Sequence, residues 1–286
     1  MSFRIARQTA LIASGFRPAL RRQLSRAIKE LDISSRMPAG TRIHSARRRV
    51  KKVRSALRLL EAASFHGVTR VDHELLRDAA AQVAGSRNAE ANLMALGRLC
   101  DETGCDNLRF SKTFARLELE KSDAERGIGD AMHRAVTLLK GSLSRIDAWD
   151  DSPIAWKKIA RGVGRFYKSG RAAFRKAADD PSMENLHRWR KRTKDLLNGL
   201  KLAGDTLPKP VRRIARDAKK LSALLGADHD LAMLRLSLAG SGAGRETHVL
   251  GKLIDARRRK LQRKAMELGA ECFARKPGAF EEKFGG

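Results

Sequence analysis

The stretch IHSARRRVKKVRSALRLL, residues 43–60, aligns without a gap to LHRWRKRTKDLLNGLKLA, residues 186–203. His44 matches His187. Arg47, Arg48, Arg49 and Lys51 match Arg190, Lys191, Arg192 and Lys194, and Leu57, Arg58 and Leu59 match Leu200, Lys201 and Leu202. Further along each copy a second landmark follows, VAGSRNAEANL at 83–93 and LLGADHDLAML at 224–234, the latter one residue longer at its turn. Two landmarks recurring in the same order read as a duplicated unit, which restricts the fold to a pair of like halves. The repeats divide as 1–150 and 151–286, with the boundary at Asp150 to Pro153, inside a single domain that spans 1–286.

The unit is helical. Ala, Leu, Arg and Lys dominate, all of them good helix formers, and the chain has only seven prolines. Apolar spacing predicts helices over 17–32, 41–65, 70–84, 88–103, 110–148, 153–178, 182–203, 209–225, 229–240 and 246–273. MPAGT at 37–41 offers Thr41 as a cap. DDSP at 150–153 and DDPS at 179–182 pair acidic or serine caps with a proline. LPKP at 207–210 and SGAG at 241–244 read as breaks, and the stretch after Pro277 as a poorly ordered tail. Met1 to Lys29 carries arginines and no acid, as a transit peptide does. The unbroken spacing of Leu20, Leu24, Ile28 and Leu31 favours a first amphipathic helix instead.

Charge points to the partner. Sixty basic against 32 acidic residues leave +28, which repels itself and calls for a polyanion. On the first basic helix His44, Arg47, Arg48, Lys51 and Arg58 share one stripe; on the second, His187, Arg190, Lys191, Lys194 and Lys201 do the same. Lys52 and Arg54 add to the first helix. Like charges stacked this way destabilise a free helix by a few tenths of a kcal/mol per pair, at roughly one cation per turn. The bland alternative is a solvated basic face. Two matched stripes favour an extended chain of phosphates, which arginine grips as a fork and lysine as a mobile point charge. Arg165, Lys168 and Arg171 before the second stripe, and Arg212, Arg216, Lys219 and Lys220 after it, are candidate extensions. For the histidines two readings stand: donors to the ligand, or groups that cap and position a neighbouring arginine.

The second landmark reads as structural: Gly226 ends a helix and Asp228 or Asp230 caps the next, as Gly85 and Asn88 do in the first copy. No glycine-rich phosphate loop, GxSxG, HExxH or paired CxxC is present, so no catalytic residue, metal or cofactor is assigned. Glu118, Glu120, Asp123 and Glu125 scatter over several helix faces. Three cysteines without a CxxC pair fit a reduced, cytoplasmic setting.

These residues resemble the CHAD family, an α-helical domain named for its histidine. His44, Arg47, Lys51 and Arg54 fit an HxxRxxxKxxR pattern, and His187, Arg190 and Lys194 fit it in the second copy. LGADHD at 225–230 looks like the family's LG-x-x-x-D element; KSGRAAFRKA at 168–177 and ELGAECFARKPGAF at 267–280 are also similar. The resemblance runs from about Phe16 to Phe280. It implies an all-α fold of two duplicated helical bundles, about four helices each, related by a pseudo-two-fold around a basic channel. It further implies inorganic polyphosphate as the ligand, association with polyphosphate granules, and binding rather than catalysis. The chain departs from the pattern at Leu197, Asp195 and Asn88, where basic, basic and acidic residues are usual.

The competing partner is nucleic acid. Aromatics are only 5%, with one tyrosine, which is poor in stacking platforms for single strands. Trp189 lies in the second stripe, but Ala46 matches it, so packing is its expected role. Non-specific duplex binding through charge alone stays open.

Overall fold

The computed structural model describes residues 13–32, 37–149, 154–203, 207–240 and 244–285. Among them are eleven α-helices, one short 3-10 turn and no strand. The first half contains α1 (Ala13–Glu30), α2 (Ala39–Ala62), α3 (Arg70–Gln82), α4 (Gly85–Thr103), the 3-10 turn (Asn107–Phe110), α5 (Ser111–Glu125) and α6 (Ile128–Asp147). The second contains α7 (Trp156–Asp179), α8 (Met183–Ala203), α9 (Lys209–Ala239), α10 (Arg245–Cys272) and α11 (Pro277–Gly285).

Apolar spacing decides which faces are buried. In α1, Phe16, Leu20, Leu24 and Ala27 face inward; in α2, Ile43, Ala46, Val50, Val53, Leu57 and Leu60 do so. The larger apolar core draws on both halves, joining α1, α2, α3 and α6 to α7, α8, α11 and the first part of α9. A smaller core packs α4 and α5 of the first half against the second part of α9 and the first part of α10. The two basic helices cross antiparallel. Asn198 Nδ2 donates to Ser55 Oγ at 2.8 Å, so two positions matched in the sequence alignment touch each other. Beside this crossing α7 comes close to α2: a methyl on Gly162 would lie 3.2 Å from the Leu59 carbonyl oxygen.

The structure corrects several sequence expectations. The helix expected over 110–148 is two, because Gly127 adopts φ 73 between α5 and α6. Conversely, α9 runs unbroken through Gly226. A glycine inside a helix costs about 1 kcal/mol relative to alanine, but buried Leu221, Leu225, Leu231 and Leu234 on either side hold the rod together. Asp228 is no cap: it is buried and accepts from Arg258 Nε at 3.0 Å and Gln262 Nε2 at 2.9 Å, tying α9 to α10. In the first copy the landmark does break, between α3 and α4, though α4 begins at Gly85 itself. Helix α2 starts at Ala39, so Thr41 lies within its first turn and no side chain caps it.

The stretch expected to be a poorly ordered tail is helical from Pro277 to Gly285. Pro277 is the first residue of α11, where its missing N–H costs nothing. Phe280 stacks on Tyr167 with ring centroids 4.1 Å apart, and Phe284 stacks on Trp156 at 5.7 Å. Tyr167 also donates through Oη to the Arg275 carbonyl, and burial pushes its phenol up to about 12. Ser182 caps α8 as expected, accepting from the Asn185 backbone N–H at 3.4 Å. The expected cap at 150–153, the repeat boundary there, most of the SGAG break and the transit-like residues 1–12 lie outside the described residues.

Candidate functional site

Helices α8 and α9 lie side by side, antiparallel, and α2 crosses α8. Where they meet α4 is a cavity of about 330 Å³. Lys51 enters it from α2, Arg190 and Lys194 from α8, and Arg98 and Glu102 from α4. The wall from α9 is Ser222, Ala223, Gly226, Ala227 and Asp230, small residues at three- and four-residue spacing that leave room for a ligand. An added methyl at Gly226 would meet no atom within 4 Å. The cavity's two acids are both engaged by arginines: Asp230 with Arg98 at 3.3 Å and Glu102 with Arg257 at 2.7 Å.

Burial, and after it crowded positive charge, disfavours the protonated forms of the site's basic groups. Burial, then the charges of Arg190 and Lys51, pull the Lys194 ammonium from 10.5 down to about 8, although Asp230 opposes them. The Arg190 guanidinium is also lowered by burial, and its buried Nε finds no hydrogen-bond acceptor among the described residues. His187 of α8 and His229 of α9 lie with their ring centroids 4.9 Å apart. Burial and then the Arg190 charge push His229 down to about 4 and lower His187 in the same direction; Lys191 and Lys194 add to the effect on His187.

A second group of cations lies further along the groove. Burial lowers Lys52, and Arg48, Arg49, Lys201 and Arg26 lower it further; burial and then Lys219 lower Lys201. On α9, Arg212, Arg216, Lys219, Ala223, Gly226 and Asp230 recur every three or four residues, so one line of the helix carries both the cations and the cavity wall.

Other expected residues are placed elsewhere. Arg47 donates to the Ala80 carbonyl of α3, and Arg58 pairs with buried Asp195 at 2.7 Å. Burial, Arg58 and Arg77 lower the Arg54 guanidinium, with Asp195 partly offsetting them. Arg165 donates to the Ala62 carbonyl at the end of α2, and Arg171 to the Phe273 carbonyl after α10, so both fasten helix ends. Lys168, Lys191 and Lys220 are exposed, as is His44 near the start of α2. Trp189 is fully buried against Phe174. Glu120 and Asp123 pair with Arg116 and Arg126. Sequence reasoning missed Arg98, His229 and the small-residue wall. The Ala223, Gly226, Ala227 and Asp230 spacing was the available signal for the wall; Arg98, one arginine on α4, had none.

A family model described as "CHAD domain" matches residues 14–239. The chain belongs to the CHAD family. A crystal structure of the CHAD domain from the plant Ricinus communis superposes with a TM-score of 0.68 at 16% identity, covering 96% of this chain and 94% of that one. At that identity the likeness shows the CHAD fold. No curated protein matches the chain.

Proposed function

We propose that this CHAD domain binds inorganic polyphosphate in the groove formed by α2, α8 and α9, as a binding module and not a catalyst. The observation that carries this is the meeting of Lys51, Arg190 and Lys194, drawn from both matched stripes, in one cavity whose acids are already paired. Cations held together at a cost to their own ionisation gain from any anion that enters, and a linear phosphate chain supplies one charge after another. The family membership supports the same ligand. A place in the cytoplasm at polyphosphate granules belongs to this proposal; among the described residues no helix is long and apolar enough to cross a membrane.

Nucleic acid is the less favoured ligand because bases need surfaces to stack on. No aromatic ring lines the cavity among the described residues, and Trp189 and Tyr167 are both buried in the core.

The test is a competition titration at near-physiological salt. Labelled long-chain polyphosphate is bound, then challenged with duplex DNA and single-stranded RNA at equal phosphate concentration. Polyphosphate should be retained, and its affinity should fall steeply with salt as counterions are released. Ready displacement by DNA or RNA would make this a general polyanion binder. Lys51→Glu with Lys194→Glu should abolish binding that survives Lys140→Glu with Lys283→Glu, two exposed lysines far from the groove in sequence.

A further inference from the structure

A second cavity lies away from the groove, where the 3-10 turn and the start of α5 meet the start of α10. Its volume is about 580 Å³, within the range that takes a small molecule. Val249 lines it, and Leu261 of the same helix lines the central cavity; these two residues stand about 18 Å apart along the unbroken α10. Arg109 enters the second cavity from the 3-10 turn, Lys112 and Arg116 from one face of α5, and Arg245 from α10.

The acid among the lining residues is already engaged. Glu246 Oε1 accepts from the Thr113 backbone N–H at 2.9 Å and from Thr113 Oγ1 at 2.5 Å, which ties α10 to α5 and fixes the two walls of the cavity relative to each other. Arg116 is steadied by Glu120 and by Ser237 Oγ of α9 at 3.4 Å. The Arg109 guanidinium lies 6.0 Å from the ring centroid of Phe110. Among the described residues no acid pairs with Arg109, Lys112 or Arg245.

We propose that this cavity is a separate site for a small polyanion with two or three adjacent phosphate groups, either a nucleoside triphosphate or a free triphosphate. A single negative charge would leave most of the cationic lining unanswered. Adjacent phosphates meet Arg109 and Lys112 on one wall and Arg245 on the other together, and guanidinium forks match their oxygens. Phe110 and Val249 supply an apolar part of the lining for an uncharged portion of the ligand. Such a ligand bridges α5 and α10 beside the Thr113–Glu246 link and so reinforces the smaller core that joins those helices. The proposal does not depend on what fills the groove.

The experiment is lysine-reactivity footprinting of the full chain with an acetylating reagent, read by peptide mass, with tripolyphosphate or ATP at near-physiological salt. Lys112 is exposed and should react at least about fivefold more slowly at saturating ligand, while exposed Lys140 and Lys283 change by less than about twofold. Equal protection by the two ligands supports the site and assigns recognition to the phosphates; stronger protection by ATP supports it and adds the apolar lining. Arg109→Ala with Arg245→Ala, both at exposed positions, should remove the protection of Lys112 without lowering the melting temperature. Unchanged Lys112 reactivity with either ligand would overturn the proposal. So would protection shared equally by Lys140 and Lys283, or full protection in the double variant. The readout is local to Lys112, so it stands apart from any binding of the same ligands in the groove.

Discussion

Lys194 is the residue at which stability and ligand binding should part company. Its ammonium is held down from 10.5 to about 8 by burial and by Arg190 and Lys51. In the folded state its charge is therefore unfavourable, and Lys194→Met, which keeps the length and removes the charge, should stabilise the free protein. Lys194 is only partly buried, so solvent screens the repulsion and leaves a gain on the order of 1–2 kcal/mol. For a chain of this size that is a rise of about 2–5 °C in Tm near neutral pH. The sign with pH is fixed. The unfavourable charge is fully present below about 8, where the lysine is protonated folded and unfolded; it fades as pH rises towards 10.5, where both states lose the proton. The advantage of methionine should fade over that window. The same variant should bind polyphosphate about 10- to 100-fold more weakly, having lost one charge-assisted contact. Thermal melts across pH, paired with titrations at fixed salt, measure both. A lower Tm for Lys194→Met near neutral pH would refute the view of Lys194 as a charge held for the ligand.

The histidine pair should make binding acid-sensitive. Both rings are lowered, His229 to about 4, so the unfolded state takes protons first and the free protein should lose stability as pH falls from 6.5 towards 4. A phosphate chain favours imidazolium, so binding in that window should take up protons that a His187→Asn, His229→Asn variant does not, as titration in buffers of different ionisation heat would show. Gly226→Leu should fill the cavity and block binding while leaving Tm unchanged or higher, since the site is open and leucine favours helix; intact affinity would place the ligand elsewhere. Asp228→Ala strands Arg258 and Gln262 and should cost about 3 kcal/mol, read as a fall in Tm. Phe280→Ala should cost about 3–5 kcal/mol by unstacking Tyr167; a negligible change would mean that α11 is not part of the cooperative fold.

What the sequence disclosed follows from what repeats in it. The helical class and the basic helices were legible because apolar residues at three- and four-residue spacing can be buried in only one way. Asn198 and Ser55, matched in the alignment, meet in the structure. Trp189 was readable as core because its counterpart Ala46 could not share a stacking role. Glycine misled in both directions. Gly226 passes through a helix that burial on either side sustains, whereas Gly127 breaks one, and local composition does not distinguish the two. The roles of Arg165 and Arg171 were hidden for a related reason: a basic residue that fastens a distant helix end has the same local signature as one that holds an anion. Arg98 reaches the cavity only because α4 packs against the other half's α9 and α10, a tertiary fact with no local trace.

The unbroken α9 also governs how this groove can change over evolution. A substitution alters one position and leaves its neighbours in place. Inserting or deleting one residue between Lys219 and Gly226 would swing everything beyond it by about 100° around the axis, turning either the cations or the small-residue wall away from α8. The groove can therefore be retuned residue by residue but not lengthened in small increments. The matching landmark of the first half is split between α3 and α4, where a short connection absorbs such a shift. At that turn Asn88 follows Gly85 by three positions, whereas Asp230 follows Gly226 by four.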